Sequence, residues 1–336
     1  MELYLDSVNL DEIKAANKLG YLKGLTTTPT FMLREGVTDI DGMMLELAKM
    51  VDVLQVEALG DNADEIVAEA KRLVSIGLSK EKTVFKIPIS MEGTQACKRL
   101  VDEGYQVNLH LVYTLQQAYL AMCAGATYVC PLVGRLQDQG QYALKLVEEC
   151  VKLTEKYGYK TKVMFSSVRH VEHVKNALEI GVHTCTVPWK VMKKLADNHF
   201  TTIGTDQFIT DTKMLTSKVG DVVRTEHVTI SASAKVIDGI ITMTKSKLGA
   251  VVVLSGDGSV YRIFTDGDVR RLLEQHNGQI QDLKLSDLEG NSPVSVDKVT
   301  NFQDALNTCT SKKIDTIVVT DQGKFLGLVD IQDLVR

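Results

Sequence analysis

Eight short strand-like runs recur along the first two thirds of this chain, and amphipathic helical patterns separate them. Typical strand runs are ELYLDSV, TVFKIPIS and KTKVMFSS, and typical helical runs are NADEIVAEAKRLVSIG and HVEHVKNALEIG. The helical runs carry apolar residues at i, i+3 and i+4, and several end in glycine, which favours helix termination. Eight β/α units in about 200 residues are the number that closes a (β/α)8, or TIM, barrel. An open doubly wound sheet is less favoured, because no glycine-rich phosphate loop follows the first strand.

From about residue 216 the sequence changes character and contains an internal repeat of roughly 60 residues. The phrases GSVYRIFTDGDVRRLL and GKFLGLVDIQDLVR end the two copies, and an apolar strand precedes each phrase. Two copies are too few for a solenoid, so we expect them to pack face to face around one shared core. We therefore predict a barrel over residues 1–215 and a repeat pair over residues 216–336, divided at about 278/279.

The composition is that of a globular protein, with 44% hydrophobic and 24% charged residues. The formal net charge of −5 argues against a general nucleic-acid or anionic-membrane binder. The N-terminal segment lacks the basic and apolar regions of a signal peptide, and no stretch approaches the ~18 apolar residues of a membrane span. The six cysteines form neither a CxxC pair nor a metal-like cluster. We therefore expect reduced thiols, no metal and a cytoplasmic protein.

Polar residues occupy the carboxyl ends of six predicted barrel strands, which is where barrels of this kind place their active sites. Because side chains alternate along a strand, Gln55 shares a face with Glu57, and Asn108 shares one with His110. We expect the whole group to converge at one end of the barrel. Its members are Asp6, Gln55, Glu57, Lys86, Asn108, His110, Arg135, Ser167 and Arg169.

Lys86 lies inside the run TVFKIPIS, where an unpaired ammonium group would be costly to bury. An apolar interior lowers the pKa of a lysine, and the neutral amine can attack a ketone to form a Schiff base. A carboxylate such as Asp6 could then shuttle protons, although Asp6 could instead cap a helix. Arg135, Ser167 and Arg169 suit a phosphate group, although either arginine could instead be a solvated surface residue.

The segments MELYLDS, GLTTTPT, VFKIPIS, AGATYVCPLVGR and SSVR resemble, in order and spacing, the motifs of the transaldolase family. The similarity covers about residues 1–215 and is closest to the short branch that includes fructose-6-phosphate aldolase. It implies a class I aldolase or transaldolase that acts on ketose phosphates through a covalent lysine imine, without a cofactor. It also implies catalytic roles for Lys86 as the Schiff-base lysine, Asp6 in proton transfer and Gln55 in handling the catalytic water. The substrate-binding positions that it implies are Thr26, Thr28, Asn108, Arg135, Ser167 and Arg169.

Four positions depart from the family pattern. Thr28 stands where an asparagine is usual, His110 where a catalytic threonine is expected, and Leu132 where the aldolase subgroup has tyrosine; Gly134 replaces a common asparagine. Water activation must then come from another group, with Glu57 and His110 as candidates, unless the substrate differs or the activity is weak. His110 could also be a satisfied core residue. The alternative function is a regulatory protein that binds a sugar phosphate without turning it over.

The C-terminal repeat resembles a pair of cystathionine-β-synthase-type (CBS) motifs, which form one α+β (Bateman) module that often binds adenine nucleotides. The phrase GSVYRIFTDGDVRR is most similar to the module fused to arabinose-5-phosphate isomerases. That similarity suggests a narrower alternative, an aldolase for pentose-phosphate precursors of surface polysaccharide.

The CBS resemblance implies that Thr265 and Asp268 contact the ribose and phosphate of a regulatory nucleotide. In the second copy Asp330 replaces the hydroxyl group and would repel a phosphate, so a nucleotide is less expected there. A module that dimerises and binds nothing is the alternative. Relatives of the barrel form pentamers and decamers, and CBS pairs dimerise, so we expect a homo-oligomer.

Overall fold

In the computed structural model, which describes residues 1–289 and 292–335, the chain divides into two compact units, Met1–Asp197 and Asn198–Arg336. The predicted domain boundary at 215/216 falls at the end of helix His199–Thr216, which is grouped with the second unit. That boundary stays a prediction. Parts of the predicted second repeat, at residues 290, 291 and 336, lie outside the described residues.

Eight parallel strands of the first unit close into a barrel in the order β1 to β8, which confirms the predicted (β/α)8 architecture. Every strand-like run identified in the sequence contains one of them. The strands are β1 Glu2–Asp6, β2 Gly24–Thr26, β3 Leu54–Glu57, β4 Thr83–Pro88, β5 Gln106–Val112, β6 Tyr128–Pro131, β7 Lys162–Phe165 and β8 Thr184–Val187.

The helices that follow these strands begin and end at the expected signals. Asn62 and Ser90 accept hydrogen bonds from backbone N–H groups as N-caps, and Gly158 and Gly181 end their helices in the left-handed conformation. The helices of this unit are α1 Leu10–Asn17, α2 Pro29–Arg34, α3 Ile40–Met50, α4 Ala63–Ser75, α5 Met91–Asp102, α6 Leu115–Cys123, α7 Val133–Asp138, α8 Ala143–Tyr157, α9 Val171–Ile180 and α10 Trp189–Met192.

The barrel lumen is filled with apolar side chains in the region before the strand ends. Tyr4 and Tyr128 meet edge to face, with their hydroxyl oxygens 3.0 Å apart. Val84 belongs to the same cluster and precedes Lys86 by two residues, so both lie on the face of β4 that points inward. The full cluster is Tyr4, Val84, Tyr128, Cys130, Leu132 and Met164. This apolar layer forms the floor beneath the polar residues at the carboxyl ends of the strands.

The second unit contains two three-stranded sheets, in the orders β11-β10-β9 and β12-β13-β14. Each sheet pairs one parallel and one antiparallel neighbour with its central strand. The strands are β9 Thr229–Ser231, β10 Ala250–Leu254, β11 Val260–Thr265, β12 Ser295–Asp297, β13 Thr316–Asp321 and β14 Lys324–Asp330. The helices are α11 His199–Thr216, α12 Val236–Ser246, α13 Asp266–Gln275, α14 Phe302–Lys312 and α15 Ile331–Leu334.

The two repeats share one core, as the sequence analysis anticipated. Val252 of the first repeat and Leu328 of the second are fully buried in the same apolar cluster. Each repeat also borrows a segment from the other. The backbone N–H of Val219 donates to the carbonyl oxygen of Thr300 at 2.9 Å, and Val219 is buried in the second core. In the opposite direction, Leu285 is buried in the core of the first repeat.

Candidate active site

Lys86 lies near the carboxyl end of β4 with only 5% of its surface exposed. Its Nζ donates to the carbonyl oxygen of Thr27 at 2.6 Å and forms an ion pair with Glu57 Oε1 at 2.8 Å. The expected apolar surroundings are therefore present on one side only, where Val84 belongs to the lumen floor. On the other side a carboxylate compensates the charge of the amine, which reduces the cost of burying it.

Glu57, at the end of β3, links Lys86 to His110. Its Oε2 atom lies 2.9 Å from His110 Nε2. Within the described residues, neither of these two atoms has a well-aligned hydrogen-bond partner. Burial acts to raise the pKa of Glu57, but the positive charge of Lys86 and the contact with His110 outweigh it and lower that pKa. Burial lowers the pKa of His110 against the pull of Glu57, so the imidazole is neutral near pH 7.

Asp6 ends β1 and is held by Thr26, whose Oγ1 donates to Asp6 Oδ1 at 2.8 Å and also contacts the Thr186 hydroxyl. Burial raises the pKa of Asp6, and the charge of Lys86 and the Thr26 hydrogen bond oppose that shift. Asp6 does not cap a helix, since Asn9 accepts the N-terminal hydrogen bonds of α1. The carboxyl group therefore faces the lumen close to the amine, with a proton affinity raised by its environment.

Gln55 and Asn108 form a second polar pair, in which Asn108 Nδ2 donates to Gln55 Oε1 at 2.7 Å. Both side chains are fully buried. Gln55 Nε2 and Asn108 Oδ1 have no hydrogen-bond partner among residues 1–289 and 292–335. A buried polar group left in that state costs about 1–3 kcal/mol. One unused donor beside one unused acceptor is the pattern that a hydroxyl group or a water molecule can satisfy.

The three predicted phosphate-binding residues flank a close contact between α7 and the loop after β7. Arg135 on α7 and Arg169 after β7 are both exposed, and Arg169 forms an ion pair with Asp138 at 2.7 Å. Ser167 has a left-handed backbone with φ of 57°, which costs a non-glycine residue about 1–2 kcal/mol. At Gly134 an added Cβ atom would lie 2.8 Å from Arg169 Nε. A glycine at this position allows the close approach.

The remaining departures from the family pattern have local structural roles. The Thr28 hydroxyl accepts the N–H of Phe31 at 3.3 Å and caps α2. Leu132, which follows the end of β6, is buried in the apolar cluster of the lumen, and its side chain can neither donate nor accept a hydrogen bond. The pairing of Glu57 with Lys86 is not among the sequence-based predictions. The register of β3 and β4, which places Glu57 opposite Lys86, is the signal that could have found it.

In the C-terminal unit, Thr265 and Asp268 form a reciprocal cap at the start of α13. The Thr265 hydroxyl donates to Asp268 Oδ2 at 2.9 Å and accepts from the Asp268 backbone N–H at 3.3 Å. Asp268 Oδ1 also accepts from Arg271 at 2.5 Å. These contacts satisfy both side chains within the first repeat.

The second repeat uses a different arrangement at the equivalent positions. Asp330 caps α15 by accepting the N–H of Gln332 at 2.8 Å. Asp333 binds Arg224 through two hydrogen bonds of 3.0 and 2.6 Å. The Asp333 carboxylate raises the pKa of Arg224. Asp330 therefore serves as a helix cap in place of the threonine of the first repeat.

Among residues 1–289 and 292–335, no group of three or more His, Cys, Asp or Glu side chains is placed to hold a metal ion. No helix in these same ranges is long and apolar enough to cross a membrane. All six cysteines are free thiols; Cys123 is exposed and the other five are buried.

Comparisons with known proteins agree with this architecture. The family model "Transaldolase/Fructose-6-phosphate aldolase" matches residues 3–237, and the CBS domain model matches residues 219–275 and 285–336. The chain is 35% identical over 215 residues to "Probable transaldolase 2" of Bacillus anthracis, covering 63% of this chain and 97% of that protein. It is 39% identical over 212 residues to "Probable transaldolase" of Methanococcus maripaludis, covering 63% and 97%.

Among solved structures, a CBS-domain containing protein from Agrobacterium tumefaciens is similar to part of this chain. The match covers 36% of this chain and 92% of that protein. The TM-score is 0.33 and the sequence identity 22%. The family model spans most of the chain, and the named relatives are matched over nearly their whole length. The chain therefore belongs to the transaldolase/fructose-6-phosphate aldolase family, as a transaldolase-like enzyme whose barrel is followed by a pair of CBS domains.

Proposed function

We propose that the barrel carries out Schiff-base aldol chemistry on ketose phosphates, transferring or releasing a dihydroxyacetone unit. One observation carries the proposal: a buried lysine amine lies at the carboxyl end of a barrel strand, with carboxylates of β1 and β3 beside it. A structural lysine would gain little from this position, because burying an ion pair seldom stabilises a fold. The arrangement suits an amine that exchanges protons and reacts.

The reaction begins when the Lys86 amine attacks the ketone carbon and the resulting carbinolamine loses water to give an iminium ion. Asp6 then removes the proton of the substrate C4 hydroxyl group, and the C3–C4 bond breaks with its electron pair moving into the iminium. The aldose phosphate leaves, and the dihydroxyacetone enamine stays on Lys86. A second aldehyde or a water molecule completes the transfer or the release. The raised pKa of Asp6 suits a group that must hold a proton between steps.

The other lumen residues would bind the substrate and the catalytic water. The unused donor of Gln55 and the unused acceptor of Asn108 fit a hydroxyl of the dihydroxyacetone unit or the water. His110 lies on the same side of the lumen as Glu57 and is assigned to water handling with Gln55. Thr26 would hold Asp6 in place through its hydrogen bond. Thr28, at the start of α2, would contact the substrate.

A phosphate group of the substrate would bind at Arg135, Ser167 and Arg169. Two guanidinium groups and a hydroxyl on adjacent segments provide charge-assisted hydrogen bonds to such an anion. Arg169 would exchange or share its present partner Asp138, an exposed pair that costs little to break.

Reductive trapping tests this proposal. The protein is incubated with a panel of ketose phosphates and sodium cyanoborohydride, and the modified peptide is mapped by mass spectrometry. We expect a reduced adduct on Lys86 with at least one substrate. We expect no adduct in Lys86→Met, while Lys82→Met, which alters an exposed lysine, behaves like the unmodified protein. Measurable sugar-phosphate binding without any adduct would favour the alternative of a binding protein that does not turn over its ligand.

We further propose that the CBS pair binds an adenine nucleotide and thereby regulates the barrel. Thr265 and Asp268 hold the hydroxyl and carboxylate that would contact ribose and phosphate, and two arginines, Arg262 and Arg271, form ion pairs with Asp268. Calorimetric titration with AMP, ADP and ATP tests it, with Thr265→Ala as the weakened variant. If none of the three nucleotides gives a heat of binding, the alternative is favoured, in which the module dimerises and binds no ligand. Homo-oligomerisation and a cytoplasmic location belong to the same proposal.

A further inference from the structure

Glu57 has two carboxylate oxygens that face two different titratable groups. Oε1 lies 2.8 Å from Lys86 Nζ, and Oε2 lies 2.9 Å from His110 Nε2. The Glu57 side chain is only 8% exposed, so water competes little for either contact. The aldol steps assigned above use Asp6 and Lys86 and leave this central carboxylate without a chemical role.

An incoming ketone can be attacked only by a neutral amine, so the ion-paired ammonium must first lose a proton. Glu57 is the carboxylate in hydrogen-bond contact with that ammonium. Asp6 is less suited to receive the proton, since it acts on Lys86 through charge and its oxygen Oδ1 is engaged by Thr26. The distance from Glu57 to the amine already meets the requirement for direct transfer.

We propose that Glu57 is the proton acceptor for Lys86 during imine formation and that His110, besides the water handling assigned above, positions the carboxylate. The inference rests on the proposed aldol function and deepens it. It gives Glu57 a chemical role in a site where the threonine and tyrosine of related enzymes are replaced by His110 and Leu132.

The step balances in protons and electrons. One ammonium proton moves to Glu57, and the nitrogen lone pair forms the N–C bond while the carbonyl π electrons move to oxygen. A second nitrogen-bound proton passes to that oxygen and gives the carbinolamine. Glu57 then returns its proton to the hydroxyl group, the C–O bond breaks, and water leaves. One proton remains on the iminium nitrogen, and Glu57 is again a carboxylate.

The charges around Glu57 favour this cycle. Lys86 on β4 and the His110 contact on β5 lower the pKa of Glu57, so the group is an acceptor at neutral pH. The charge of Lys86 disappears from the site once the amine is deprotonated, which restores proton affinity to the carboxylate at the moment it must hold the proton. Burial lowers the pKa of His110, and the charges of Lys86 and of Arg135 on α7 act in the same direction, while Glu57 opposes them. Asp6 on β1 is the other acidic group near the amine.

The pH dependence of imine formation tests the role of Glu57. The rate of adduct formation is measured with cyanoborohydride from about pH 5 to pH 9 for the full chain and for Glu57→Gln, which keeps the size of the side chain. The unmodified protein should show a nearly flat profile. In Glu57→Gln the rate should fall about 100-fold at pH 6 and recover as the pH rises, because the amine must then lose its proton without a carboxylate in contact with it. His110→Phe should show a smaller loss of rate. Its rate should begin to fall at a higher pH on the acid side, because the His110 contact that lowers the pKa of Glu57 is gone.

Each outcome decides between the proposals. A Glu57→Gln variant with the flat profile and rate of the unmodified protein would overturn the role of Glu57 while the aldol function stands. Loss of adduct at every pH together with loss of sugar-phosphate binding would show that Glu57 supports the site structurally and would also overturn the role. If the unmodified protein forms no adduct with any ketose phosphate, the proposed function itself fails.

Discussion

A Cβ atom added to Gly134 would lie 2.0 Å from the carbonyl oxygen of Ser167, well inside the 3.0 Å that real Cβ contacts respect. The first turn of α7 therefore rests directly on the loop that carries Ser167 and Arg169. Since the family commonly places asparagine at this position, the glycine is a feature of how this chain closes its proposed phosphate site.

Replacing this glycine should disturb phosphate binding more than chemistry. We expect Gly134→Ala to raise KM for a ketose phosphate about tenfold with little change in kcat, because α7 must move away from Ser167. The unfolding free energy should fall by about 1–3 kcal/mol. Fluorescence of the single tryptophan, Trp189, reports unfolding of the barrel unit. Gly204→Ala is the matched control: this residue lies in helix α11 with nothing within 4 Å of an added Cβ. Equal KM values for Gly134→Ala and Gly204→Ala would contradict this explanation.

Removing the competitor of the phosphate should tighten binding. Asp138 holds Arg169 in an ion pair whose side chains are 61% and 48% exposed. We expect Asp138→Asn to lower Kd for inorganic phosphate about two- to fivefold, since exposed pairs contribute at most about 1 kcal/mol. Glu172→Gln removes a neighbouring exposed carboxylate that pairs with Lys175 instead, and should leave Kd unchanged. Weaker phosphate binding in Asp138→Asn would show that Asp138 orients Arg169 for the anion.

Asp6→Asn should separate imine formation from carbon–carbon cleavage. The variant keeps the size of the side chain and loses the proton acceptor, so turnover should fall about 100- to 10,000-fold. The reduced adduct on Lys86 should still form, because Glu57 remains beside the amine. The two quantities are measured on the same preparation, by coupled product assay and by mass spectrometry. Parallel loss of both would place Asp6 in imine formation instead of cleavage.

His173 should make the barrel sensitive to acid. It is fully buried; its Nδ1 accepts the N–H of Arg169 at 3.2 Å, and its Nε2 lies 2.6 Å from Gln137 Oε1. Burial, with His170 and Arg169 nearby, lowers its pKa to about 4. The unfolded chain then binds the extra proton first, so stability is full above about pH 6.5 and falls as the pH drops towards 4.

The unfolding free energy should fall by about 3 kcal/mol between those two pH values because of His173. Urea unfolding at pH 7.5 and pH 4.5, followed by Trp189 fluorescence, measures it. His173→Gln should remove most of the difference between the two pH values. Burial also lowers the pKa of His183. Because His183 is present in both proteins, its contribution to the pH dependence cancels in the comparison. An unchanged pH dependence in His173→Gln would contradict the prediction.

Sequence reasoning was most successful where short-range periodicity determines structure. The alternation around Lys86 predicted its face of β4, and the eight strand–helix units predicted the closed barrel. The pair formed by Lys86 and Glu57 could not be read from periodicity, because it depends on the register between two strands and on side-chain reach.

Other site features depend on contacts that no local pattern encodes. The short helix α7 has no strong start signal, because Leu132 at its N-cap position makes no side-chain hydrogen bond to the helix. Its position determines that Asp138 meets Arg169. The CBS resemblance implies a ligand contact at Thr265, whereas the spacing to Asp268 also predicts the capping box that the structure contains. The ligand role stays a prediction.

The exchange of segments between the CBS repeats limits where the chain of that module can be divided. A chain broken between Gln275 and Leu283 leaves the first half without Leu285 and the second half holding a segment that belongs to its neighbour's core. Neither half is then a complete folding unit, so the two copies should unfold in one transition and survive only as a pair. The boundary between the two sequence repeats therefore differs from the boundary between the two structural cores, since each core contains a segment of the other repeat.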